Sequence, residues 1–272
     1  DDVQGYLEGI LSLVDENPAD IYLMQEMDLN ARRSYFINQV EALHEHLGPQ
    51  YSSTFAYNFN ALFVPFPVSL SDHIGYVESG IQTLSRFRVD ESTRYQLPGS
   101  FSWPLRIANL KRAMMVSRLP VEGSEKELVV INVHLSAYDD GSMRLQEMAM
   151  LREAMIAEYE QGNYVIVGGD FNQTFPEAIN TFPVLSDEYY VAHPIESDFL
   201  PEGFSFQVDP TTPTARLLNQ PYDPSDPMTQ YYIIDGYVVS DNIMVEEIFT
   251  VDAQFEYSDH NPVMLSFVLK GE

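Results

Sequence analysis

The sequence predicts an α/β fold in which several strands end at one shared, chemically active edge. The clearest observation is the stretch 164–172, which reads YVIVGGDFN. Four apolar, mostly β-branched residues are typical of a strand buried on both faces, and two glycines and an acid then end it. An ionised carboxylate at a buried edge costs several kcal/mol when nothing pairs with it, so a metal, a cation or hydrogen-bond donors must meet Asp170.

Four other apolar runs have the same design, in which a strand leads into polar residues. Residues 20–24 lead to Glu26, 128–133 lead to His134, 231–240 carry Asp235, and 255–257 lead to Asp259 and His260 before a strand over 262–269. If these strands share a sheet system, one edge collects Glu26, His134, Asp170, Asn172, Asp235, Asp259 and His260. Open α/β sheets place their sites at strand ends, so the sequence predicts a site at this edge.

Five motifs along the chain resemble, in kind and in order, those of the endonuclease/exonuclease/phosphatase superfamily. They are Gln-Glu at 25–26, Asn-x-His-Leu-Ser at 132–136, Gly-Asp-Phe-Asn at 169–172, Ile-Asp-Gly at 234–236 and Ser-Asp-His-Asn-Pro-Val at 258–263. That superfamily includes DNase I-like nucleases, abasic-site endonucleases, inositol polyphosphate 5-phosphatases and sphingomyelinases. The resemblance implies a DNase I-like α/β (α+β) fold, a four-layer β-sandwich of two mixed sheets flanked by helices, with residues 1–272 forming one domain. It also implies a phosphoester hydrolase that depends on Mg²⁺ or Mn²⁺, and it leaves the substrate open.

The resemblance assigns the metal and the nucleophile to the acidic residues. Glu26 would hold the metal, and Asp259 would complete the metal shell or its water network. Asp170 would orient or deprotonate the attacking water, and Asn172 would donate hydrogen bonds to the phosphoryl oxygens. Taken alone, Glu26 is more simply a solvated or helix-capping acid, but the ordered set of motifs favours the ligand role.

The histidines and one arginine would meet the substrate. By the same resemblance, His134 binds a non-bridging oxygen, and His260 stabilises the charge of the phosphorane or exchanges a proton. Asp235 would orient His260 and favour its protonated form, as a neighbouring carboxylate does. Arg112 precedes a strand that should border the site, which makes it the best candidate for a cation that binds the substrate phosphate.

The net charge of −27 argues against duplex nucleic acid as the substrate. It comes from 41 acidic against 14 basic residues, and only Lys111, Lys126 and Lys270 are lysines. Duplex binding draws its affinity from cations that neutralise phosphates, and this chain has few. Most of the charge is expected to form a solvated, self-repelling surface. We therefore favour small or lipid-borne phosphoesters. A DNase I-type endonuclease and a catalytically degenerate binding module are the alternatives.

The rest of the composition narrows the class of protein further. The chain has no cysteine, which excludes disulfides and thiolate metal sites. No apolar run approaches the roughly 18 to 20 residues of a membrane span, and no signal peptide is visible.

Two amphipathic helices are predicted in the first fifth of the chain. Apolar residues recur at helical spacing over 3–14, and Asn17-Pro18 then ends the segment. A second helix is predicted over 34–47. Arg32 and Arg33 precede it, and either can face the substrate or belong to a solvated helix start.

The middle of the chain predicts strands, a loop and a long helix. Short strands are expected over 54–94, and a hairpin through Gly123 joins strands at 113–116 and 128–133. Residues 95–110 are predicted to form a surface loop in which Trp103 is a packing anchor, with a substrate platform as the alternative. A helix is expected over about 143–160, with five residues inward: Leu145, Met148, Leu151, Ile156 and Tyr159.

Two further expectations concern the ends of the domain. Residues 194–230 are rich in proline and predict a long irregular excursion, of the kind that often carries specificity. Its cation Arg216 is either a ligand contact or an ordinary loop arginine. In the resembled family a strand that carries a metal-contacting Asn precedes the first helix. We expect the natural protein to be longer, its upstream part supplying that strand and leaving room for a signal or membrane anchor.

Overall fold

The computed structural model of the chain describes residues 3–64, 75–99, 112–137, 141–186 and 188–271. Three α-helices lie within this part: α1 Val3–Glu16, α2 Gln39–Leu47 and α3 Ser142–Glu160. None of these helices is long and apolar enough to cross a membrane. The expectation for Trp103 falls outside the described residues.

The strands form one six-stranded sheet and three smaller sheets. Their bounds are β1 Ile21–Ala31, β2 Ser52–Val64, β3 Gly75–Ser85, β4 Glu91–Gln96, β5 Ala113–Pro120, β6 Glu127–His134, β7 Tyr164–Asp170, β8 Phe204–Gln207, β9 Ala215–Arg216, β10 Tyr231–Tyr232, β11 Asp235–Ser240, β12 Ile243–Thr250 and β13 Val263–Leu269. The large sheet has the order β4-β5-β6-β7-β11-β8, and the smaller ones are β1-β3-β2, β9-β10 and β12-β13. Only the pair β6-β7 is parallel among the described strands.

One face of the six-stranded sheet is covered by α3. Side chains alternate between the two faces along a strand, and in β6 this alternation puts Val129, Ile131 and Val133 toward the helix. They share one apolar cluster with Leu151 and Met155 of α3. The opposite alternation leaves the even-numbered residues of β6, ending in His134, on the other face.

The second face packs against the three-stranded sheet and the β12-β13 hairpin. Val130 and Ile166 of the large sheet form an apolar cluster with Leu23 of β1 and Phe267 of β13. The outer side of the three-stranded sheet is covered by α1 and α2 through a third cluster, which includes Val14, Tyr22, Leu43, Tyr51 and Leu84. The four layers are therefore α3, the large sheet, the smaller sheets, and α1 with α2, and the predicted fold class is confirmed.

The strands β1 and β13 each keep one edge without a strand partner in the described part of the chain. β1 bonds to β3 and β13 bonds to β12, yet both lie over the same apolar cluster. Unpaired edges of this kind present free backbone donors and acceptors. The additional strand expected from the resemblance stays a prediction.

Two of the helix predictions need correction. The second helix begins at Gln39 rather than at 34, because a 3-10 turn at Arg32–Ser34 comes first and Asn38 caps the helix by accepting a hydrogen bond from the Glu41 backbone. In α3, Leu145 is 56% exposed, whereas Glu147 is buried. Glu147 faces inward because its carboxylate accepts hydrogen bonds from the backbone N and Oγ of Ser136, which lies just beyond β6.

Candidate active site

His134 and Asp170 end the two parallel strands at the centre of the large sheet. They are directly paired in register, and His134 Nε2 lies 3.3 Å from Asp170 Oδ2. Both residues are buried. Burial raises the pKa of Asp170, but the hydrogen bond and charge of His134, together with the charge of His260, outweigh burial and lower that pKa. Asp170 is therefore an ionised carboxylate at a largely dry strand end.

Asn172 holds the Asp170 carboxylate in place. Its φ of 50° is a left-handed conformation, which asparagine adopts more readily than most residues other than glycine. The turn lets its backbone N donate to Asp170 Oδ1 at 2.7 Å, while its Nδ2 donates to Asp170 Oδ2 at 3.1 Å and to the Leu135 carbonyl at 2.9 Å. Both amide hydrogens are thus engaged within the protein. In this geometry Asn172 positions the carboxylate, which differs from the expected donation to phosphoryl oxygens.

A second histidine–carboxylate pair faces the first. Asp235 begins β11 in register with Asp170, and His260 Nδ1 lies 2.9 Å from Asp235 Oδ2. Burial lowers the pKa of His260, but the charge and hydrogen bond of Asp235 raise it well above its ordinary value. Ligand atoms of Asp170, Asp235 and His260 lie within 4.8 Å of one another. The structure thus brings three of the predicted residues into one cluster.

Glu26 reaches the site through an irregularity in β1. The pairing of β1 with β3 shifts register between Met24 and Met27, and Glu26 has a φ of 55°. Bulges re-aim side chains in this way, and here the result is a carboxylate whose Oε1 lies 3.9 Å from His134 Nε2. The Glu26 side chain is 61% exposed.

The electrostatic surroundings keep Glu26 ionised. Partial burial raises its pKa, but the nearby positive charges of His134, Arg33, Arg112 and His260 outweigh burial and lower it. An ionised, accessible carboxylate oxygen suits a hard divalent cation.

Asp259 lies beside the cluster rather than in it. Its backbone carbonyl accepts a hydrogen bond from the Arg216 N at 3.0 Å, which ties the 258–261 loop to β9. Its negative charge contributes to the raised pKa of His260. Glu26 and Asp259, the two predicted metal ligands, both lie outside the set of described ligand atoms that are mutually within 4.8 Å.

Arg112 is a buried cation next to the acidic residues of the site. It is 8% exposed, and its Nε has no hydrogen-bond partner among the described residues. Burial lowers the pKa of Arg112, and the negative charges of Glu26, Asp170 and Glu147, which raise it, offset only part of this effect. A buried guanidinium with an unsatisfied donor is suited to bind an anion.

Two polar residues between the sheets, Gln25 and Asn132, hold the strands of the site together and were not predicted from the sequence. Gln25 Nε2 donates to Asn132 Oδ1 at 2.8 Å, and Asn132 Nδ2 donates to the Gln82 carbonyl at 3.0 Å. Asn132 is fully buried, so this network joins β1, β3 and β6 between the two sheets. The available signal was that Gln25 and Asn132 are polar residues next to or inside otherwise apolar strands, each within a motif.

The classification of the chain follows from a match to a protein-family profile. The profile of the Endonuclease/Exonuclease/phosphatase family matches residues 3–260. The chain belongs to this family. No curated protein sequence matches the chain significantly.

Solved structures agree with the family in fold. An endonuclease/exonuclease/phosphatase from Beutenbergia cavernae superposes with a TM-score of 0.68 at 18% identity over 98% of this chain, which spans 66% of that protein. The mannosyl-6-phosphatase Bt3783 of Bacteroides thetaiotaomicron superposes with a TM-score of 0.60 at 16% identity, over 98% of this chain and 92% of that one. D. rerio TDP2 complexed with a single-strand DNA product superposes with a TM-score of 0.62 at 14% identity, over 98% of this chain and 93% of that one. Identities this low show the fold alone.

Proposed function

We propose that the protein is a divalent-metal-dependent phosphoester hydrolase that acts on small or lipid-borne phosphoesters. The observation that carries this proposal is the meeting of two histidine–carboxylate pairs, His134 with Asp170 and His260 with Asp235, at one edge of the large sheet. Phosphoester hydrolysis needs a base-activated water, neutralised phosphoryl oxygens and a protonated leaving oxygen. The two pairs and Arg112 offer each of these.

The protonation states support the proposed roles. Asp170 is ionised, because its pKa is lowered, and it is fixed by Asn172, so its carboxylate is placed to orient the attacking water and accept its proton. His260 has a raised pKa, so it donates a proton or hydrogen bond to the oxygen that gains negative charge. His134 and Arg112 bind non-bridging oxygens from the side of the large sheet.

The residues present fit Mg²⁺ or Mn²⁺. The proposed ligands are carboxylate oxygens, and the chain has no cysteine, a set that favours hard cations over soft ones. Glu26 would hold the ion through its accessible oxygen, with Asp259 as the second proposed ligand. When bound, such an ion supplies neutralisation of phosphoryl charge and a more acidic water.

Charge supports the choice of substrate class. The net charge of −27 repels a polyanion, and two arginines near the site are already occupied: Arg33 pairs with Glu26 and Asp28, and Arg216 stacks 5.0 Å from the centroid of the Tyr222 ring. The similar structures do not select a substrate, since one is titled a mannosyl-6-phosphatase and another contains a single-strand DNA product.

A substrate panel tests the proposed class. With Mg²⁺ or Mn²⁺ present, we expect faster turnover of bis-p-nitrophenyl phosphate, sphingomyelin or phosphoinositides than nicking of plasmid DNA. Duplex binding should be weak even at low salt, because few cations are available to neutralise its phosphates. Tight, steeply salt-dependent DNA binding, or plasmid nicking faster than every other ester, would replace this proposal with a DNase I-type endonuclease.

The pH profile tests the role of His260. Asp235→Asn is expected to move the alkaline limb of kcat to lower pH, because it removes the largest influence that raises the pKa of His260 and leaves the opposing effect of burial. Activity that needs protonated His260 is lost as pH rises through that pKa, so the variant loses it earlier. The measurement is kcat between about pH 5 and pH 10.

The matched control is a second Asp–His pair on the surface. Asp15 Oδ1 lies 2.9 Å from His46 Nε2, and Asp15→Asn should leave the profile unchanged. An alkaline limb that stays in place in Asp235→Asn contradicts the assignment of His260 as the acid.

A further inference from the structure

The guanidinium of Arg33 bridges two carboxylates, that of Glu26 and that of buried Asp28, and we call this arrangement the bracket. Arg33 Nε and Nη2 donate to the carboxylate of Asp28 at 2.8 to 3.2 Å, and its Nη1 donates to Glu26 Oε2 at 3.2 Å. The Asp28 side chain is 3% exposed and the Glu26 side chain 61% exposed. The planar guanidinium thus connects a fixed anchor inside the protein to a carboxylate at the mouth of the site.

The chain folds back sharply to place this arginine. β1 ends at Ala31, a 3-10 turn at Arg32–Ser34 follows, and Tyr35 and Phe36 both have positive φ, of 52° and 61°. The Phe36 N donates to the Ala31 carbonyl and closes the turn. Two consecutive left-handed residues are costly, and the turn they allow points Arg33 back along the strand it has just left.

The bracket leaves the two oxygens of Glu26 in different states. Oε2 is engaged by Arg33, while Oε1 lies 3.9 Å from His134 Nε2 and faces the catalytic pairs. A cation that approaches from the site therefore meets a carboxylate with one free oxygen.

We propose that Arg33 is a positioning residue that makes Glu26 a single-oxygen ligand and thereby favours Mg²⁺ or Mn²⁺ over Ca²⁺. This inference rests on the proposed metal-dependent function. Mg²⁺ is small and takes one oxygen from each carboxylate in a strict octahedron, whereas Ca²⁺ has six to eight oxygen ligands and often binds carboxylates through both. Because Arg33 is hydrogen-bonded to Glu26 Oε2, only Oε1 is left to bind Ca²⁺.

The ratio of two affinities isolates this effect. Removing the positive charge of Arg33 strengthens the electrostatic attraction of Mg²⁺ and Ca²⁺ equally, since both carry the same charge. Freeing Glu26 Oε2 helps only the ion that uses a second carboxylate oxygen. The quantity to measure is therefore Kd for Mg²⁺ divided by Kd for Ca²⁺, obtained by calorimetric titration of the metal-stripped protein.

Two variants separate positioning from folding. Arg33→Lys keeps a cation for buried Asp28 but lacks the planar fork that reaches Glu26 as well. The double variant Arg33→Met with Asp28→Asn removes the bracket without leaving a buried carboxylate unpaired. Arg86→Met is the control, because Arg86 forms a similar but exposed pair with Asp20 at 3.2 Å. Thermal melts identify the folded variants.

We expect both Arg33 variants to shift the Kd ratio at least about tenfold toward Ca²⁺, and Arg86→Met to leave it unchanged. A ratio that stays at the wild-type value in folded Arg33→Lys and in the double variant overturns the inference. A different result contradicts the proposed function itself. That result is wild-type protein that binds neither Mg²⁺ nor Mn²⁺, or binding whose Kd is unchanged in Glu26→Gln.

Discussion

Replacing Asp170 with alanine is expected to reduce turnover by at least about 100-fold, as the loss of a general base typically does. Asp170 is the ionised carboxylate that Asn172 orients through both oxygens and that His134 approaches at 3.3 Å. His260→Ala should cause a loss of the same size, because it removes the proposed acid of the opposite pair. Folding should survive both changes, since Asp170 ends a strand, His260 lies in the loop before β13, and neither belongs to the apolar clusters.

The measurement is kcat and KM on the best substrate of the panel, with a thermal melt of each variant. Asp20→Ala serves as the control, because Asp20 is an exposed acid whose only described ion pair is with Arg86 on the surface. Near wild-type turnover in a folded Asp170→Ala or His260→Ala protein would show that the site has been assigned wrongly.

Gly169→Ala is expected to cost about 3 kcal/mol or more of folding free energy. Gly169 has a φ of 138°, and a Cβ there would lie 2.1 Å from the carbonyl oxygen of Val133, its register partner in β6. Because that oxygen belongs to the central parallel pair, the backbone has little room to move. The melting temperature should fall by roughly 6–12 °C for a loss of this size.

Gly123→Ala separates the two causes of that loss, which are the steric clash of the new Cβ and the backbone strain of a positive φ. Gly123 also has a positive φ, of 78°, but a Cβ there meets nothing within 4 Å. It should lose only about 1 kcal/mol through backbone strain. Equal losses in the two variants would mean that the close approach of β6 and β7 at Gly169 is not what requires glycine.

Local sequence pattern placed the two central strands of the site, β6 and β7, each an apolar run that ends in a site residue. The other runs need correction: β1 continues past Glu26 to Ala31, the run 231–240 is divided so that Asp235 begins β11, and residues 255–257 form a turn rather than a strand.

Alternation sets the face of the sheet that each side chain takes, and the register of β6 with β7 then places His134 opposite Asp170. The sequence predicts that these candidates gather at one edge, and the family resemblance implies the pairing of Asp235 with His260, but the pairing of His134 with Asp170 depends on a register that the pattern leaves open.

Features that depend on contacts distant in sequence could not be predicted in this way. The inward face of α3 is set by the bonds of Glu147 to Ser136, so Leu145 turns outward although its apolar character predicted burial. The bulge at Glu26 and the bracket of Arg33 depend on how β1 pairs with β3 and on a turn with left-handed residues. Helical and strand periodicity carry no signal for either.

The hydrogen bonds of the Asn172 side-chain amide also could not be predicted from the sequence pattern. Its motif predicted a donor to the substrate, but the left-handed turn directs both amide hydrogens to Leu135 and Asp170. A motif specifies which residue types meet, and the backbone conformation decides which partner each donor reaches.

Removal and return of the metal test the central claim most directly. The rate of hydrolysis of the best phosphoester substrate is measured after treatment with EDTA and again after addition of Mg²⁺ or Mn²⁺. The account predicts that EDTA abolishes activity, that either ion restores it, and that Glu26→Gln needs a higher ion concentration for the same rate. Full activity in the metal-stripped protein would contradict it.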